Sequence, residues 1–247
     1  MLVLSDVRKS FGNLAAVDGI SLTIEKGEIF GLAGPNGAGK TSLFNVISGI
    51  PYRCDSGEIK FKGQEIQSLA PYEICRRGLT RTFQTEISFE ALTVEQNILI
   101  GAMHSPKESR KAQKSKVIEI LDRFELMKLR AELAGSLPLH QKKRLMLATA
   151  VICDPSLLML DEPAAGLDRD EYSELAKWIK LLQEIGITVI IIEHVLPLLL
   201  SVSTRAAVMS QGRIIALGLP TEIMNNDDVI EAYFGSSGKR SFQKSGN

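Results

Sequence analysis

A glycine-rich run, GPNGAGKT from Gly34 to Thr41, constrains the fold of this chain more than any other feature. It follows the apolar run 29–33 and precedes residues 41–48, whose pattern predicts a helix. Glycines in such a run let consecutive backbone N–H groups surround an anion, and the positive end of the following helix adds to the attraction. A strand, a glycine-rich loop and a helix in this order predict a phosphate-binding loop.

The phosphate-binding loop supplies most of the residues that we expect to bind ATP. The Lys40 ammonium is expected to reach the β- and γ-phosphates and to assist catalysis, and the Thr41 hydroxyl is expected to bind Mg²⁺. A chance match in a surface loop is the alternative, but the apolar strand before the loop and the helix after it favour a nucleotide site. The residues predicted to contact the cofactor here are Gly34, Asn36, Gly37, Ala38, Gly39, Lys40, Thr41 and Ser42.

A second apolar run, residues 157–160, ends in two acidic residues, Asp161 and Glu162. An acidic residue at the end of a buried parallel strand lies at the ligand edge of an α/β sheet, so Asp161 is expected to hold Mg²⁺. Glu162 is the better candidate to polarise the attacking water. A carboxylate pair at the start of a helix is the alternative, and the presence of Lys40 favours catalysis.

Strand and helix patterns alternate along much of the chain, which predicts a mostly parallel sheet covered on both faces. Residues 71–151 differ, because they show helical patterns and no convincing buried strand, and they predict an inserted helical lobe. In that lobe Val117, Ile118, Leu121 and Phe124 are expected on one buried helix face. The predicted strands are 2–8, 21–24, 29–33, 57–61, 157–160, 188–192, 205–209 and 213–217, and residues 169–185 are predicted to form a helix.

Composition limits the class of protein. The 29 basic residues balance the 29 acidic ones, so there is no electrostatic reason to expect a nucleic-acid partner. The longest apolar stretches, residues 187–192 and 195–202, are too short to span a bilayer, so we expect a soluble protein that can dock on a membrane protein. Residues 235–247 are rich in glycine, serine and lysine and are predicted to be disordered.

Ordered motifs give the chain a resemblance to the nucleotide-binding subunits of ATP-binding cassette (ABC) transporters. The motifs are GPNGAGKT, TFQ ending at Gln84, LMLDEP ending at Pro163, AGLD ending at Asp168 and IEH ending at His194. The resemblance covers nearly the whole chain and implies an ATPase coupled to transmembrane transport. It implies an α/β fold with a phosphate-loop NTPase core, a mostly parallel sheet, an antiparallel β subdomain and an inserted helical subdomain. The cassette would span residues 1–234, with the helical subdomain at about 72–151.

The same resemblance implies roles for four further residues. Phe11 would stack on adenine, and Gln84 would contact Mg²⁺ or the attacking water and respond to the transporter. His194 would bind the γ-phosphate and help to hold the water, and Asp168 would lie at the seam between two subunits. Without the resemblance these would be an aromatic at a strand end, a surface glutamine, a structural histidine and a helix N-cap.

One motif departs from the family. The LSGGQ-like signature, which closes over the γ-phosphate held by the opposite subunit, corresponds here to Leu137, Pro138, Leu139, His140 and Gln141. His140 replaces a glycine whose bare N–H approaches phosphate, and losing one such donor typically costs roughly 3 kcal/mol, or about a hundredfold in rate. We therefore expect this signature to serve a weakened composite site, unless the imidazole donates a hydrogen bond of its own.

Three segments narrow the resemblance within the family, one of which is residues 91–97 (ALTVEQN), at the place where the family has it. Residues 78–84 (GLTRTFQ) and 225–235 (NNDDVIEAYFG) resemble the importers of branched-chain amino acids and of urea or amides. The implied partners are integral membrane permease subunits, which would dock near residues 84–89, a second ATP-binding subunit that is identical or a paralogue, and indirectly an extracytoplasmic solute-binding protein. The implied location is peripheral, at the cytoplasmic face of the inner membrane. A lipopolysaccharide-export ATPase and a soluble or regulatory ABC protein remain the alternatives.

Overall fold

A computed structural model describes residues 1–83, 88–102 and 109–233. Gln84 and the tail 235–247 therefore lie outside the described residues. Within the described ranges, no helix combines the length and the apolar character needed to cross a bilayer.

An antiparallel sheet of four strands covers one side of the fold, in the order β2-β1-β4-β5. Its inward side chains alternate along each strand, as Leu2, Leu4 and Val7 do in the first strand. This sheet confirms the expected antiparallel subdomain. Its strands are β1 (Leu2–Phe11), β2 (Leu14–Ile24), β4 (Ser56–Phe61) and β5 (Gln64–Glu65).

The central sheet has six strands in the order β10-β9-β3-β8-β7-β6, and all neighbours except β9 and β10 are parallel. Its inner strands are apolar runs because both of their faces are buried. The mostly parallel sheet predicted from the sequence is confirmed. Its strands are β3 (Ile29–Ala33), β6 (Leu79–Arg81), β7 (Leu157–Asp161), β8 (Thr188–Ile192), β9 (Arg205–Ser210) and β10 (Arg213–Gly218).

Strand β3 shows how the central sheet divides the core. Phe30 and Leu32 face the antiparallel sheet, whereas Ile29 and Ala33 face the opposite layer of helices. Successive side chains of a strand point to opposite faces, so one short strand contributes to both halves of the core. The helices are α1 (Lys40–Ser48), α2 (Pro71–Arg76), α3 (Val94–Ala102), α4 (Arg110–Arg123), α5 (Leu139–Val151), α6 (Tyr172–Glu184), α7 (Leu196–Val202) and α8 (Pro220–Met224), and residues 227–233 are also helical.

The prediction that residues 71–151 contain no buried strand is wrong. Strand β6 lies in this segment and pairs in parallel with β7, and Leu79 is buried. Three residues are too few to show an alternating pattern, so only the pairing with β7 reveals the strand. The helix predicted at 169–185 also differs at its start. Residues Arg169–Glu171 form a 3₁₀ turn, and the α-helix α6 begins at Tyr172.

The buried face of α4 differs from the prediction at one position. Val117, Leu121 and Phe124 are buried, but the side chain of Ile118 is exposed. Ile120 takes its place in the core. Residues three and four positions apart share a helix face, whereas the residue after Val117 is turned about 100° away.

Candidate functional site

The glycine-rich loop joins the end of β3 to the start of α1. Gly34 and Gly39 both adopt positive φ angles, of 147° and 100°. A β-carbon added to Gly34 would lie 2.3 Å from the carbonyl oxygen of Met209, and one added to Gly39 would lie 2.1 Å from that of Ala16. Glycine is thus required twice, for the backbone angle and for the close approach of neighbouring strands.

An open cleft of about 740 Å³ lies over the loop, a volume in the range of small-molecule sites. It brings together most of the residues predicted for ATP binding and catalysis, whereas Gly34 does not line it. Its lining also includes four residues that were not predicted, Leu14, Ala15, Ala16 and Gln211. The predicted residues that line it are Phe11, Asn36, Gly37, Ala38, Gly39, Lys40, Thr41, Ser42, Glu162 and His194.

Lys40 is buried at the first position of α1. Its Nζ donates hydrogen bonds to the carbonyl oxygens of Gly34 at 2.7 Å and Pro35 at 3.0 Å. Burial lowers the pKa of its ammonium group, and the charges of Glu162 and Asp161 oppose this shift. The ammonium therefore lies folded against its own loop, where an arriving phosphate can replace the carbonyl oxygens as its partner.

Glu162 and His194 follow adjacent parallel strands, β7 and β8, and meet in the cleft. The Nε2 of His194 lies 2.5 Å from Oε1 of Glu162. The Glu162 backbone has a positive φ of 48°, and its N–H donates to the carbonyl oxygen of Ile192 at 2.9 Å. Pairing of the two strands therefore sets the position of this acid–histidine pair.

Asp161 does not line the cleft and is paired with an arginine that was not predicted as a site residue. The Nη2 of Arg81 lies 2.6 Å from Oδ2 of Asp161, and both side chains are almost completely buried. Arg81 precedes the TFQ motif by one residue. The run RTFQ is therefore the signal in the sequence that could have identified Arg81.

Glu193 is a second buried residue that sequence reasoning missed. One carboxylate oxygen accepts a hydrogen bond from the N–H of Ala164 at 2.6 Å, and the other accepts from the N–H of His194 at 3.2 Å. Burial raises the pKa of this carboxyl group, and the backbone hydrogen bonds oppose the shift. Glu193 ties the segment that leads to Asp168 to the backbone of His194.

Tyr233 joins the C-terminal helical segment to the phosphate-binding loop. Its hydroxyl accepts a hydrogen bond from the N–H of Gly34 at 2.6 Å. Burial raises the pKa of this hydroxyl. The predicted C-terminal family segment contained this tyrosine, but nothing in the sequence indicated its partner.

Phe11 lines the same cleft as Glu162. Its ring meets that of Tyr52 edge to face, with centroids 4.9 Å apart, and the Lys9 ammonium lies 5.4 Å from the Phe11 centroid. The Phe11 side chain is 44% exposed. An exposed ring held by a neighbouring aromatic offers a face on which a purine base can stack.

The signature residues 137–141 do not line the cleft of their own chain. Helix α5 begins within them, with Pro138 as the N-cap. The Nδ1 of His140 lies 3.0 Å from Oε1 of Glu171, and Oε2 of Glu171 accepts a hydrogen bond from the N–H of Asp168 at 2.9 Å. The imidazole thus contacts an acidic residue of its own subunit, and Glu171 links the signature to the predicted dimer seam.

The oxygen donors near the loop suit Mg²⁺ that arrives with a nucleotide. Among the described residues, no three or more His, Cys, Asp or Glu side chains form a cluster that could hold a cation. Mg²⁺ typically takes one or two protein oxygens and fills its other positions with phosphate oxygens and water. The Thr41 hydroxyl and the Asp161 carboxylate match that requirement.

Comparison with known proteins gives two family matches. Residues 17–165 match the ABC transporter family, and residues 213–239 match the family of the branched-chain amino acid ATP-binding cassette transporter. The second match contains Tyr233.

Similar proteins match over nearly their whole length. The chain is 36% identical to the high-affinity branched-chain amino acid transport ATP-binding protein BraF of Pseudomonas aeruginosa, covering 96% of this chain and 98% of the relative. It is 32% identical to the lipopolysaccharide export system ATP-binding protein LptB of Haemophilus influenzae, covering 97% and 99%. It also superposes on the ADP conformation of MJ1267, an ATP-binding cassette of an ABC transporter, with a TM-score of 0.86, 32% identity and coverage of 96% and 99%.

Proposed function

The chain belongs to the ABC transporter ATP-binding family, and we propose that it is the ATPase subunit of an importer of branched-chain amino acids or related small polar solutes. The observation that best supports ATP hydrolysis is the pair of Glu162 and His194. Their side chains lie 2.5 Å apart in a cleft over the phosphate-binding loop. The amino-acid class rests on the match of residues 213–239 and on the identity to BraF.

In the proposed mechanism, different residues of the cleft have different roles in ATP hydrolysis. Backbone N–H groups of residues 36–42 and the Lys40 ammonium bind the phosphates. Glu162 accepts a hydrogen bond from the attacking water, and His194 holds the Glu162 carboxylate in place. Mg²⁺ held by Thr41 and Asp161 would neutralise charge on the β- and γ-phosphates. Gln84 keeps its predicted role at the metal or the water.

A second ATP-binding subunit completes each site in this proposal. The residues 137–141 lie away from the cleft of their own chain, which suits a signature that acts on the nucleotide of a partner. His140 adds a side chain where the family has glycine, so this chain would contribute a weak signature and receive a strong one from a paralogue. Asp168 would contact the partner subunit at the seam.

The membrane partner would dock beside residue 84. A cleft of about 370 Å³ is lined in part by Phe83, and its lining also includes the apolar side chains of Phe89, Ile100 and Met146. An amphipathic helix of a permease subunit can bury its apolar face in such a groove. The proposed complex lies peripherally at the cytoplasmic face of the inner membrane, and an extracytoplasmic binding protein would deliver the solute.

The alternatives have less support. The identity to LptB is lower than that to BraF, and residues 213–239 match the amino-acid family. A regulator that does not hydrolyse ATP does not need a general base. The contact between Glu162 and His194 therefore favours an ATPase over a regulator.

The test uses the chain co-expressed with candidate permease subunits and a candidate solute-binding protein of a branched-chain amino acid importer from the same organism. We expect ATP hydrolysis by the purified complex in vesicles to be stimulated by leucine, isoleucine or valine, and we expect Glu162→Gln to abolish it. Glu184→Gln, on the exposed side of α6, is the matched control that should retain wild-type hydrolysis. Stimulation by lipopolysaccharide alone would overturn the assignment to an importer. Hydrolysis unaffected by Glu162→Gln would overturn the catalytic role of Glu162.

A further inference from the structure

We propose that Arg81 is a positioning residue that holds two of the predicted Mg²⁺ ligands, Thr41 and Asp161, at their working separation. The inference rests on the proposed ATP binding by this chain. It concerns a residue with no part in the nucleotide cleft, since Arg81 does not line it.

The guanidinium of Arg81 connects two separate elements. Its Nη2 lies 2.6 Å from Oδ2 of Asp161, at the end of β7. Its Nη1 donates to Oδ1 of Asn45 at 2.7 Å and to Oγ of Ser48 at 3.2 Å, both on α1. One planar group therefore fixes the distance between the carboxyl end of β7 and the helix that follows the loop.

The two connected elements carry two of the predicted metal ligands, Thr41 and Asp161. Asn45 lies one helical turn after Thr41, so the two side chains share a face of α1. Oδ2 of Asp161 accepts a hydrogen bond from Nη2 of Arg81, at the other end of the guanidinium. A shift of α1 relative to β7 would separate the Thr41 hydroxyl from the Asp161 carboxylate, and the Arg81 contacts oppose that shift.

The surroundings keep Arg81 in one orientation. Its side chain is 5% exposed and that of Asp161 is 6% exposed, so water screens their attraction little. The rings of Phe44 and Phe83 lie 5.6 Å and 5.2 Å from the guanidinium carbon. Aromatic rings at these distances favour the cation and restrict its rotation.

Stability alone does not account for an arginine here. A buried ion pair is often no more stabilising than well-packed apolar residues of similar volume, because both charges lose their hydration. Arginine instead provides a rigid fork that can bond to two partners at once, which a lysine ammonium on a flexible stem does not reproduce. The Arg81 fork is used in this way, toward Asp161 and toward Asn45.

The experiment measures the Mg²⁺ requirement for binding of a fluorescent ATP analogue to the full-length chain. We expect Arg81→Lys to raise the Mg²⁺ concentration for half-maximal enhancement of binding by about 10- to 100-fold, as is typical when a partner of a metal ligand is lost. Binding in EDTA should stay within about twofold of wild type, because the loop that binds phosphate is intact. An unchanged Mg²⁺ requirement, or an equal loss of binding with and without Mg²⁺, would overturn the proposal.

Arg205→Lys is the matched control. Arg205 also pairs with an acidic residue, Glu28 at 3.2 Å, and lies 5.3 Å from the ring of Phe30, but it belongs to β9. We expect this variant to keep the wild-type Mg²⁺ requirement. The same shift in both variants would mean a general loss of packing and would refute a positioning role.

A second variant decides the matter if Arg81→Lys does not fold. Asn45→Ala leaves the pair of Arg81 and Asp161 but removes its main tie to α1, and we expect it to raise the Mg²⁺ requirement severalfold. Asn45 also donates to the Tyr52 hydroxyl at 2.8 Å, so Tyr52→Phe serves as the control for that lost bond. A wild-type Mg²⁺ requirement in Asn45→Ala would refute the proposal.

Failure of the proposed function and failure of this proposal can be distinguished. If the complex shows no transport-coupled hydrolysis, the proposed function fails, but this binding assay still tests Arg81.

Discussion

The Nε2 of His194 and Oε1 of Glu162 lie 2.5 Å apart, at the carboxyl ends of two neighbouring parallel strands. In the proposed mechanism the histidine holds the carboxylate, and the carboxylate would hold the attacking water. Orientation of a general base by a second group is an arrangement that favours general-base catalysis.

Replacing this histidine should reduce turnover and spare binding. In His194→Ala, Glu162 loses the partner that orients it, and we expect hydrolysis by the assembled transporter to fall by about 10²-fold or more. ATP affinity should change only severalfold, because the loop and Lys40 hold the phosphates. Single-turnover hydrolysis and equilibrium binding of ATP separate the two effects. A parallel loss of both would show that His194 mainly supports nucleotide binding.

Replacing Glu193 should destabilise the fold. Glu193→Gln presents an amide NH₂ to one of two backbone donors, those of Ala164 and His194, and leaving a buried donor unpaired costs about 1–3 kcal/mol. Urea unfolding of the variant, with Glu184→Gln as the exposed control, measures this cost. A stability equal to that of wild type would show that the two hydrogen bonds contribute nothing net.

The pH dependence of the same variant has a defined sign. Burial raises the pKa of Glu193 above its ordinary value in the folded chain, so the folded state binds the proton more tightly than the unfolded state. The contribution of Glu193 to stability is therefore fully present below the unfolded pKa and declines as the pH rises through the folded pKa. We expect the stability difference between wild type and Glu193→Gln to be smaller in neutral than in mildly acidic buffer. A difference that grows with pH would contradict the burial of this carboxylate.

Restoring glycine at the signature should accelerate the assembled ATPase. His140→Gly exposes a bare backbone N–H at the second position of α5, and we expect turnover at the site that uses this signature to rise by up to about a hundredfold. Glu171→Gln is the control, because it removes the charge that faces His140 and keeps the bulk of the imidazole. ATPase activity that does not change in His140→Gly would show that the signature is not impaired by the side chain.

Removing the Tyr233 hydroxyl should weaken nucleotide binding. Tyr233→Phe leaves the Gly34 N–H without its acceptor, which costs about 1–3 kcal/mol if no water replaces the hydroxyl. We expect a lower melting temperature and a lower affinity for ATP, because the first residue of the loop is no longer fixed. Tyr172→Phe, at another half-buried tyrosine, is the matched control for the loss of a hydroxyl. Equal effects of the two substitutions would remove any special role for Tyr233.

Local features of the sequence predicted the framework of the fold and much of the cleft. Strand β3 was predicted with its observed bounds, because a short apolar run that leads directly into a glycine-rich loop is typical of a buried strand. The short strand β6 was missed and Ile118 was assigned to the wrong side of α4, because neither could be decided without knowing the neighbouring element.

By itself, the sequence determined the loop from Gly34 to Thr41, the alternation of strands and helices, and the family. These depend on backbone angles, hydrogen-bond donors and hydrophobic periodicity within a few consecutive residues. The tertiary structure alone decided which distant groups meet. Arg81 bonds to Asp161, 80 residues away, and Tyr233 bonds to Gly34, 199 residues away. Such pairs follow from strand order and helix packing, because those bring together side chains whose separation along the chain carries no signal of contact.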